Sequence, residues 1–135
     1  MSNLAIFDTS IFIDHLRTGC HQQRIDSLSC LIRLSSVVLA ELWRGTTGPI
    51  ERDFLRTLEK NHSILTPTEN NWLESGRLLA DICGDKGFTP HKLRDLHFDV
   101  LIALTARSHG ARLITSNRTD FELISSYRKI RLEIW

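Results

Sequence analysis

The sequence is poor in cysteine, and the few cysteines form no recognisable pattern. There are three of them, Cys20, Cys30 and Cys83, so the number is odd and no C-x-x-C pair occurs. Disulfide-dependent domains have dense, evenly numbered cysteines, and structural zinc sites have closely paired ones. The cysteine content therefore argues against both a disulfide framework and a zinc site, and it favours a reducing compartment.

Long apolar runs are also lacking. Segments such as 37–40 and 100–104 are far shorter than the roughly 20 apolar residues that cross a bilayer. The first residues show no basic stretch followed by an apolar region, so the sequence predicts no export signal and no membrane association. We expect a cytoplasmic protein.

Neither sign of charge is in excess. The chain has 17 basic and 16 acidic residues, which gives a formal net charge of +1. This balance argues against a protein that holds nucleic acid by charge alone. Most of the basic residues are arginines. Because a guanidinium can bind phosphate or carboxylate through two hydrogen bonds, an acidic or phosphorylated partner stays open.

Strand-like and helix-like segments alternate along the chain. Short apolar runs typical of strands occupy residues 3–7, 30–34, 63–66, 111–115 and 129–135. Helical patterns lie between them: one capped by Ser10, one ending near Gly45, 51–60, 72–83, one opened by Asp99 and ended by Gly110, and a short one at 122–124. This order predicts a three-layer α/β sandwich with a mostly parallel central sheet flanked by helices, formed by residues 1–135 as a single domain.

Several acidic residues fall where such a sheet collects functional groups, beyond the carboxyl ends of its strands. Asp8 directly follows the first predicted strand, and Asn117 and Asp120 follow the fourth. We expect Glu41 and Asp99 in the first turns of helices that start at the same edge. Clustered carboxylates repel one another unless a cation neutralises them, and Mg²⁺ or Mn²⁺ prefers oxygen ligands. The pattern indicates metal-dependent hydrolysis of a phosphodiester.

Each acid also has a structural interpretation. Asp8 could cap the turn after its strand, Asp99 could be a helix N-terminal acid favoured by the dipole, and Glu41 could lie on a solvated helix face. Asp14, Asp95 and Glu122 are weaker candidates, and Asp95 is expected to be a helix cap. Asp8 is the hardest to explain structurally, because an acid flush against a buried strand is uncommon without a role.

Three sequence blocks resemble the signature motifs of PIN-domain proteins, specifically the VapC-type toxins of toxin–antitoxin pairs. They are AIFDTSIFID, SSVVLAELWRG and FDVLIALTARSHGARLITSNRTDF, in family order and with family-like separations. The stretch from about residue 49 to 97 carries no such motif. The resemblance implies a PIN fold and a Mg²⁺- or Mn²⁺-dependent endoribonuclease.

The resemblance also implies roles for particular residues. Asp8, Glu41 and Asp99 match the first three acids of the family, with Asp8 and Asp99 as the principal metal ligands. The fourth position, often Asp, is Asn117, and Asp120 matches the acid three residues later. Polar positions lining the site match Thr9, Ser10 and Thr115, which are equally well explained as caps. Arg44 and Arg118, close to the acids in sequence, are candidates for binding phosphate.

The implied partners are an RNA substrate, a second copy in a homodimer and a cognate antitoxin that covers the active-site groove. Among the apolar helical positions that could contact an antitoxin are Phe12, Leu16, Leu39 and Trp43, although aromatic residues at helical spacing are more often buried.

Three other functions stay open. One is a DNA nuclease with related acid chemistry. A second is a phospho-acceptor signalling domain, which needs a lysine after a late strand, whereas Lys129 precedes the last one. A third is an inactive PIN-like binding module, against which the presence of all three principal acids argues.

Overall fold

A central sheet of parallel strands organises the chain. The computed structural model describes residues 3–135. In this part the strands are β1 (Leu4–Phe7), β2 (Leu31–Ser35), β3 (Ile64–Leu65), β4 (Arg112–Thr115) and β5 (Arg131–Ile134). They form one sheet in the order β3-β2-β1-β4-β5, in which all neighbours are parallel. The predicted parallel sheet is confirmed.

Helices make the connections between the strands. They are α1 (Thr9–Thr18), α2 (Gln22–Ser27), α3 (Ser36–Arg44), α4 (Pro49–Asn61), α5 (Glu69–Lys86), α6 (Pro90–Ser108) and α7 (Arg118–Tyr127). The sequence does not predict α2, because none of its residues is buried and no apolar period marks it. Among residues 3–135, no helix is both long and apolar enough to span a lipid bilayer.

The two central strands are buried on both faces. Ala5, Ile6 and Phe7 are consecutive in β1 and at most 5% exposed, and Leu113 and Ile114 of β4 are fully buried. Because successive side chains of a strand point to opposite faces, helices must cover both sides of the sheet. The three-layer α/β sandwich is therefore confirmed.

The prediction that Asp99 opens a helix is wrong, because α6 already begins at Pro90. The Thr89 side chain caps this helix by accepting a hydrogen bond from the backbone N–H of Lys92, and proline suits the first turn. Asp95, expected as a cap, also lies inside α6. Asp99 therefore lies in the middle of a long helix, where the partial positive charge of a helix N-terminus does not stabilise its carboxylate.

Other helix ends also differ from the sequence prediction. α5 runs through Gly84 and ends at Gly87, whose φ of 65° is the left-handed conformation that favours glycine. α7 begins at Arg118, well before residue 122, because Asn117 caps it. Glu41 lies in the second turn of α3, not in the first.

The strand order creates a cleft at one edge of the sheet. β1 lies between β2 and β4, so the chain winds in one direction through β2 and β3 and in the other through β4 and β5. At such a switch point, the connections leave the carboxyl ends of the two central strands on opposite sides and open a crevice between them. Asp8 follows β1 at this point, and Ser116 follows β4.

Candidate active site

Asp8 is a buried acid held by two hydroxyl groups. It is 3% exposed, and its Oδ2 accepts hydrogen bonds of 2.8 Å from both Ser10 Oγ and Thr115 Oγ1. Although Asp8 occupies the N-cap position of α1, its side chain makes no capping hydrogen bond. The structural interpretation of Asp8 as a cap is therefore wrong.

The hydroxyl groups around Asp8 also tie the first strand to the fourth. Ser10 Oγ lies 3.2 Å from Thr115 Oγ1 and accepts a hydrogen bond from the backbone N–H of Ser116. Thr115 Oγ1 accepts one from the backbone N–H of Asn117. Ser10 does not cap α1 by its side chain, contrary to the sequence prediction, because its hydroxyl is engaged in this network. These contacts fix the direction of the Asp8 carboxylate.

Glu41 comes to the same cleft from α3. Its Oε1 accepts a hydrogen bond of 2.8 Å from Thr9 Oγ1, and the side chain is half-buried. Burial raises the pKa of Glu41 above its ordinary value; the Thr9 hydrogen bond and the Arg44 charge oppose this rise, and the Asp8 charge adds to it. Glu41 is thus near enough to Asp8 for their charges to interact, as its sequence position predicts.

At Asp99 the surroundings strongly disfavour the charged form of the carboxylate. Its pKa rises from 3.8 to about 8, first because of burial. Neighbouring negative charges add to the rise, in the order Asp8, Glu41 and Asp120. Within residues 3–135 its carboxylate accepts no side-chain hydrogen bond that would stabilise the charged form. The structure therefore brings four acids from four separate segments into one electrostatic cluster, which we call the acid cluster (Asp8, Glu41, Asp99 and Asp120).

Asn117 lies at the rim of the acid cluster and is engaged with Asp120. It is the N-cap of α7: its Oδ1 accepts from the Asp120 backbone N–H at 3.4 Å, while its Nδ2 donates to Asp120 Oδ2 at 3.2 Å. An amide is a weaker ligand for Mg²⁺ than a carboxylate. The contacts show Asn117 orienting Asp120.

Lys92 is a residue of the site that the sequence analysis missed. Its ammonium nitrogen lies 3.0 Å from Asp120 Oδ1, and its charge opposes the rise in the pKa of Asp99. Lys92 belongs to the stretch without family motifs. It precedes Asp99 by seven residues, which is two helical turns, so recognising Thr89–Pro90 as a helix start would have placed both on one face.

The two arginines predicted to bind phosphate differ in their surroundings. Arg118 is exposed and forms an ion pair of 2.6 Å with Glu122 on the surface of α7. The Arg44 guanidinium lies over the ring of Phe98, 5.7 Å from its centroid, and lowers the pKa of Glu41 by its charge. Of the two, only Arg44 is shown beside the acid cluster.

The acid cluster is not a closed coordination sphere. Among the described residues, no group of three or more His, Cys, Asp or Glu side chains is placed to hold an ion by itself. With donors from residues 3–135 alone considered, Asp8 nevertheless has one carboxylate oxygen that accepts no side-chain hydrogen bond, and Asp99 has two. Mg²⁺ typically takes only one or two protein carboxylates and keeps several waters. The oxygen donors and the uncompensated negative charge fit such an ion.

The fold and the site define the class of protein: a parallel α/β sandwich with an acidic cleft at the switch point of its sheet. The family model of the PIN domain matches residues 5–126. This match spans most of the chain, and the protein therefore belongs to the PIN-domain family. Among curated protein sequences, no significant match was found.

Solved structures of toxin–antitoxin complexes have similar chains. One from the DNA-bound VapBC of Salmonella typhimurium has a TM-score of 0.75 and 23% identity, with coverage of 100% of this chain and 99% of that one. One from DNA-bound VapBC2 of Rickettsia felis has a TM-score of 0.73 and 22% identity, with 98% of each chain covered. A third, from VapBC-5 of Mycobacterium tuberculosis, has a TM-score of 0.61 and 20% identity, with coverage of 98% and 97%. At these identities the likeness shows the shared fold.

Proposed function

We propose that this protein is a Mg²⁺- or Mn²⁺-dependent endoribonuclease and the toxin of a VapBC-type toxin–antitoxin pair. The observation that carries the proposal is Asp99, a half-buried carboxylate that accepts no side-chain hydrogen bond from residues 3–135 and lies near three further acids. Such an arrangement costs folding free energy, so its presence calls for a cation that offsets the charge.

Each member of the site has a proposed role. Asp8 and Asp99 hold the metal, and the hydroxyls of Ser10 and Thr115 keep Asp8 in a fixed direction. Glu41, steadied by Thr9, supports the metal or orients the attacking water. Asn117 and Asp120 form the rim.

The metal would contribute the reactive chemistry. When bound, Mg²⁺ or Mn²⁺ lowers the pKa of a bound water and stabilises the negative charge that develops on the phosphodiester. Asp8 and Asp99 contribute negative charge and oxygen donors, and the buried position of Asp8 limits its own motion. Lys92 compensates Asp120 and so limits the negative charge that the cleft presents to a phosphate.

The nuclease proposal predicts cleavage that depends on a divalent metal. The purified protein should cut single-stranded RNA in Mg²⁺ or Mn²⁺, lose this activity in EDTA and regain it when metal is added back, because the proposed mechanism relies on the metal to activate the water and to stabilise the charge on the phosphodiester. Gel analysis of labelled single-stranded RNA and DNA of the same sequence measures it. Cleavage of DNA in preference to RNA would favour the alternative DNA nuclease, and cleavage that persists in EDTA would contradict the metal mechanism.

An apolar groove beside the acid cluster supports a protein partner. It has a volume of about 460 Å³ and is lined by residues of α1, α3 and α4, among them Thr9 and Glu41. Ile13, Leu16 and Ile50 line it and are 36%, 43% and 85% exposed. An antitoxin segment that fills this groove would reach the acid cluster.

The apolar positions considered for this contact differ in their exposure and surroundings. Phe12 and Leu39 are 7% and 5% exposed and belong to the core, whereas Leu16 lines the groove. Trp43 is half-buried and donates a hydrogen bond of 2.6 Å to Glu59.

We further propose a homodimer, for which sedimentation equilibrium of the purified chain is the measurement.

The toxin role predicts an effect on cells. Induced expression of the wild-type chain in a bacterial host should stop growth, whereas the Asp99→Asn variant at the same expression level should not, because growth arrest would require RNA cleavage. Growth curves, with immunoblots to match protein amounts, measure this. Equal arrest by both proteins would mean that toxicity does not come from the acid cluster.

A further inference from the structure

A second pocket lies next to the acid cluster and has a different chemical character. It has a volume of about 310 Å³ and is lined by Glu41, Arg44, Arg94, Asp95 and Phe98. It shares Glu41 with the acid cluster, and Phe98 directly precedes Asp99. Its volume lies at the lower end of the range of about 300–1,000 Å³ that is usual for small-ligand sites, so one nucleotide unit suits it.

The two arginines of this pocket are available for an anion. Both are exposed, and within residues 3–135 neither of them forms an ion pair. The Arg44 guanidinium lies over the Phe98 ring, and an Arg94 nitrogen lies 3.5 Å from His91 Nδ1. The carboxylate of Asp95, on the same rim, lies 3.6 Å from His91 Nε2. The Arg44 charge acts on Glu41, but in the described part of the chain neither guanidinium forms a salt bridge, so both can donate hydrogen bonds to a phosphate.

The aromatic ring gives the pocket a second binding element. Phe98 is half-buried and packs against the core, so its position is fixed. Proteins bind unpaired nucleotides by combining basic groups for the phosphates with an aromatic ring on which a base stacks. A base in a duplex is already stacked on both sides and cannot make this contact.

We propose that Arg44, Arg94 and Phe98 form a subsite for one unpaired nucleotide of the RNA, adjacent to the phosphate that is cleaved. The base takes the place of the Arg44 guanidinium over the Phe98 ring, and the displaced Arg44 and Arg94 bind its phosphate. This inference rests on the proposed nuclease function, because it assumes that the acid cluster marks the cleavage position. It restricts the substrate to single-stranded segments, loops or ends.

Binding of RNA tests the subsite directly. In an Asp8→Asn background, which leaves the pocket intact, fluorescence anisotropy measures the Kd of a labelled single-stranded RNA at several salt concentrations. Arg44→Ala and Arg94→Ala should each weaken binding by about 5- to 30-fold and reduce the slope of log K against log salt by about 0.7. Arg107→Ala is the matched control: Arg107 is exposed but lies near the end of α6, at the opposite edge of the sheet.

The stacking element has its own pair of variants. Phe98→Leu should weaken binding of single-stranded RNA by about 5- to 30-fold, whereas Phe98→Tyr, which keeps a ring, should bind like the parent. Neither should alter the weaker binding of a duplex of the same sequence. Circular dichroism melting of each variant shows whether Leu at this position has disturbed the fold, and the Tyr variant keeps the test valid if it has.

The outcomes separate this inference from the proposed function. If the Asp8→Asn parent binds RNA but the arginine variants behave like Arg107→Ala, or Phe98→Leu behaves like Phe98→Tyr, the subsite is wrong and the nuclease proposal stands. In the active background Arg94→Ala, which leaves the neighbours of Glu41 in the acid cluster unchanged, should raise KM and leave kcat nearly unchanged. A parent that binds no RNA overturns both proposals.

Discussion

The Asp99→Asn variant is expected to lose metal-dependent RNA cleavage by at least about a thousandfold, because each tenfold corresponds to about 1.4 kcal/mol and a catalytic metal contributes several. Asparagine has almost the same size as aspartate and preserves the packing of α6. It replaces a charged oxygen ligand with a neutral amide and removes one of the two carboxylates proposed to hold the metal. The loss should therefore appear in kcat as well as in metal affinity.

Initial rates on a fluorogenic single-stranded RNA, measured across a range of Mg²⁺ concentrations, test this expectation. Asp53→Asn is the matched control, since Asp53 is an exposed aspartate on α4 whose side chain forms an ion pair with Arg56. Its rates should equal those of the wild type. Asp99→Asn protein that cleaves at more than about a tenth of the wild-type rate would exclude Asp99 as a metal ligand.

The same substitution is expected to stabilise the metal-free protein at pH 8. A carboxylate whose pKa rises from 3.8 to about 8 on folding binds its proton more tightly in the folded state. The stabilisation is then fully present below about pH 4 and decreases as the pH rises towards 8, because the unfolded chain releases the Asp99 proton in this range while the folded protein keeps it. After discounting for solvent screening, this penalty is about 2–4 kcal/mol.

Urea denaturation in EDTA at several pH values measures the effect. The difference in unfolding free energy between Asp99→Asn and wild type should be smallest near pH 4 and grow until about pH 8, where it levels off. Saturating Mg²⁺ should stabilise the wild type and not the variant, since only the wild type binds the ion in its folded state. A variant that is less stable than the wild type at pH 8 would contradict the electrostatic account of Asp99.

The position of Asp8 could be predicted from the sequence because its determinants are local. An apolar run of strand length ends at Asp8, and in a parallel sheet the carboxyl end of a strand is where side chains can leave the core. The same reasoning places Asn117 and Asp120 after β4. The hydroxyl network of Ser10 and Thr115 is different, since it depends on which strands are neighbours and in which register.

The positions of Asp99 and Lys92 could not be predicted in the same way. The segment from Pro90 onwards shows little amphipathic contrast, because one end of α6 is exposed and the other is buried on all sides. Periodicity therefore fails to show where the helix begins, and the local signals are the cap at Thr89 and the proline that follows it. The ion pair between Lys92 and Asp120 follows from the packing of α6 against α7, which the sequence does not show.

The place of β1 in the middle of the sheet determines when the site is completed during synthesis. β1 is synthesised before β4, and the hydroxyl of Thr115 that holds Asp8 lies 107 residues further along the chain. A nascent chain that ends after α6 already contains Asp8, Glu41 and Asp99, yet it lacks the strand that borders Asp8 on one side. Such a chain carries the acids without the strand that orients Asp8, so the centre cannot form before β4 has been synthesised.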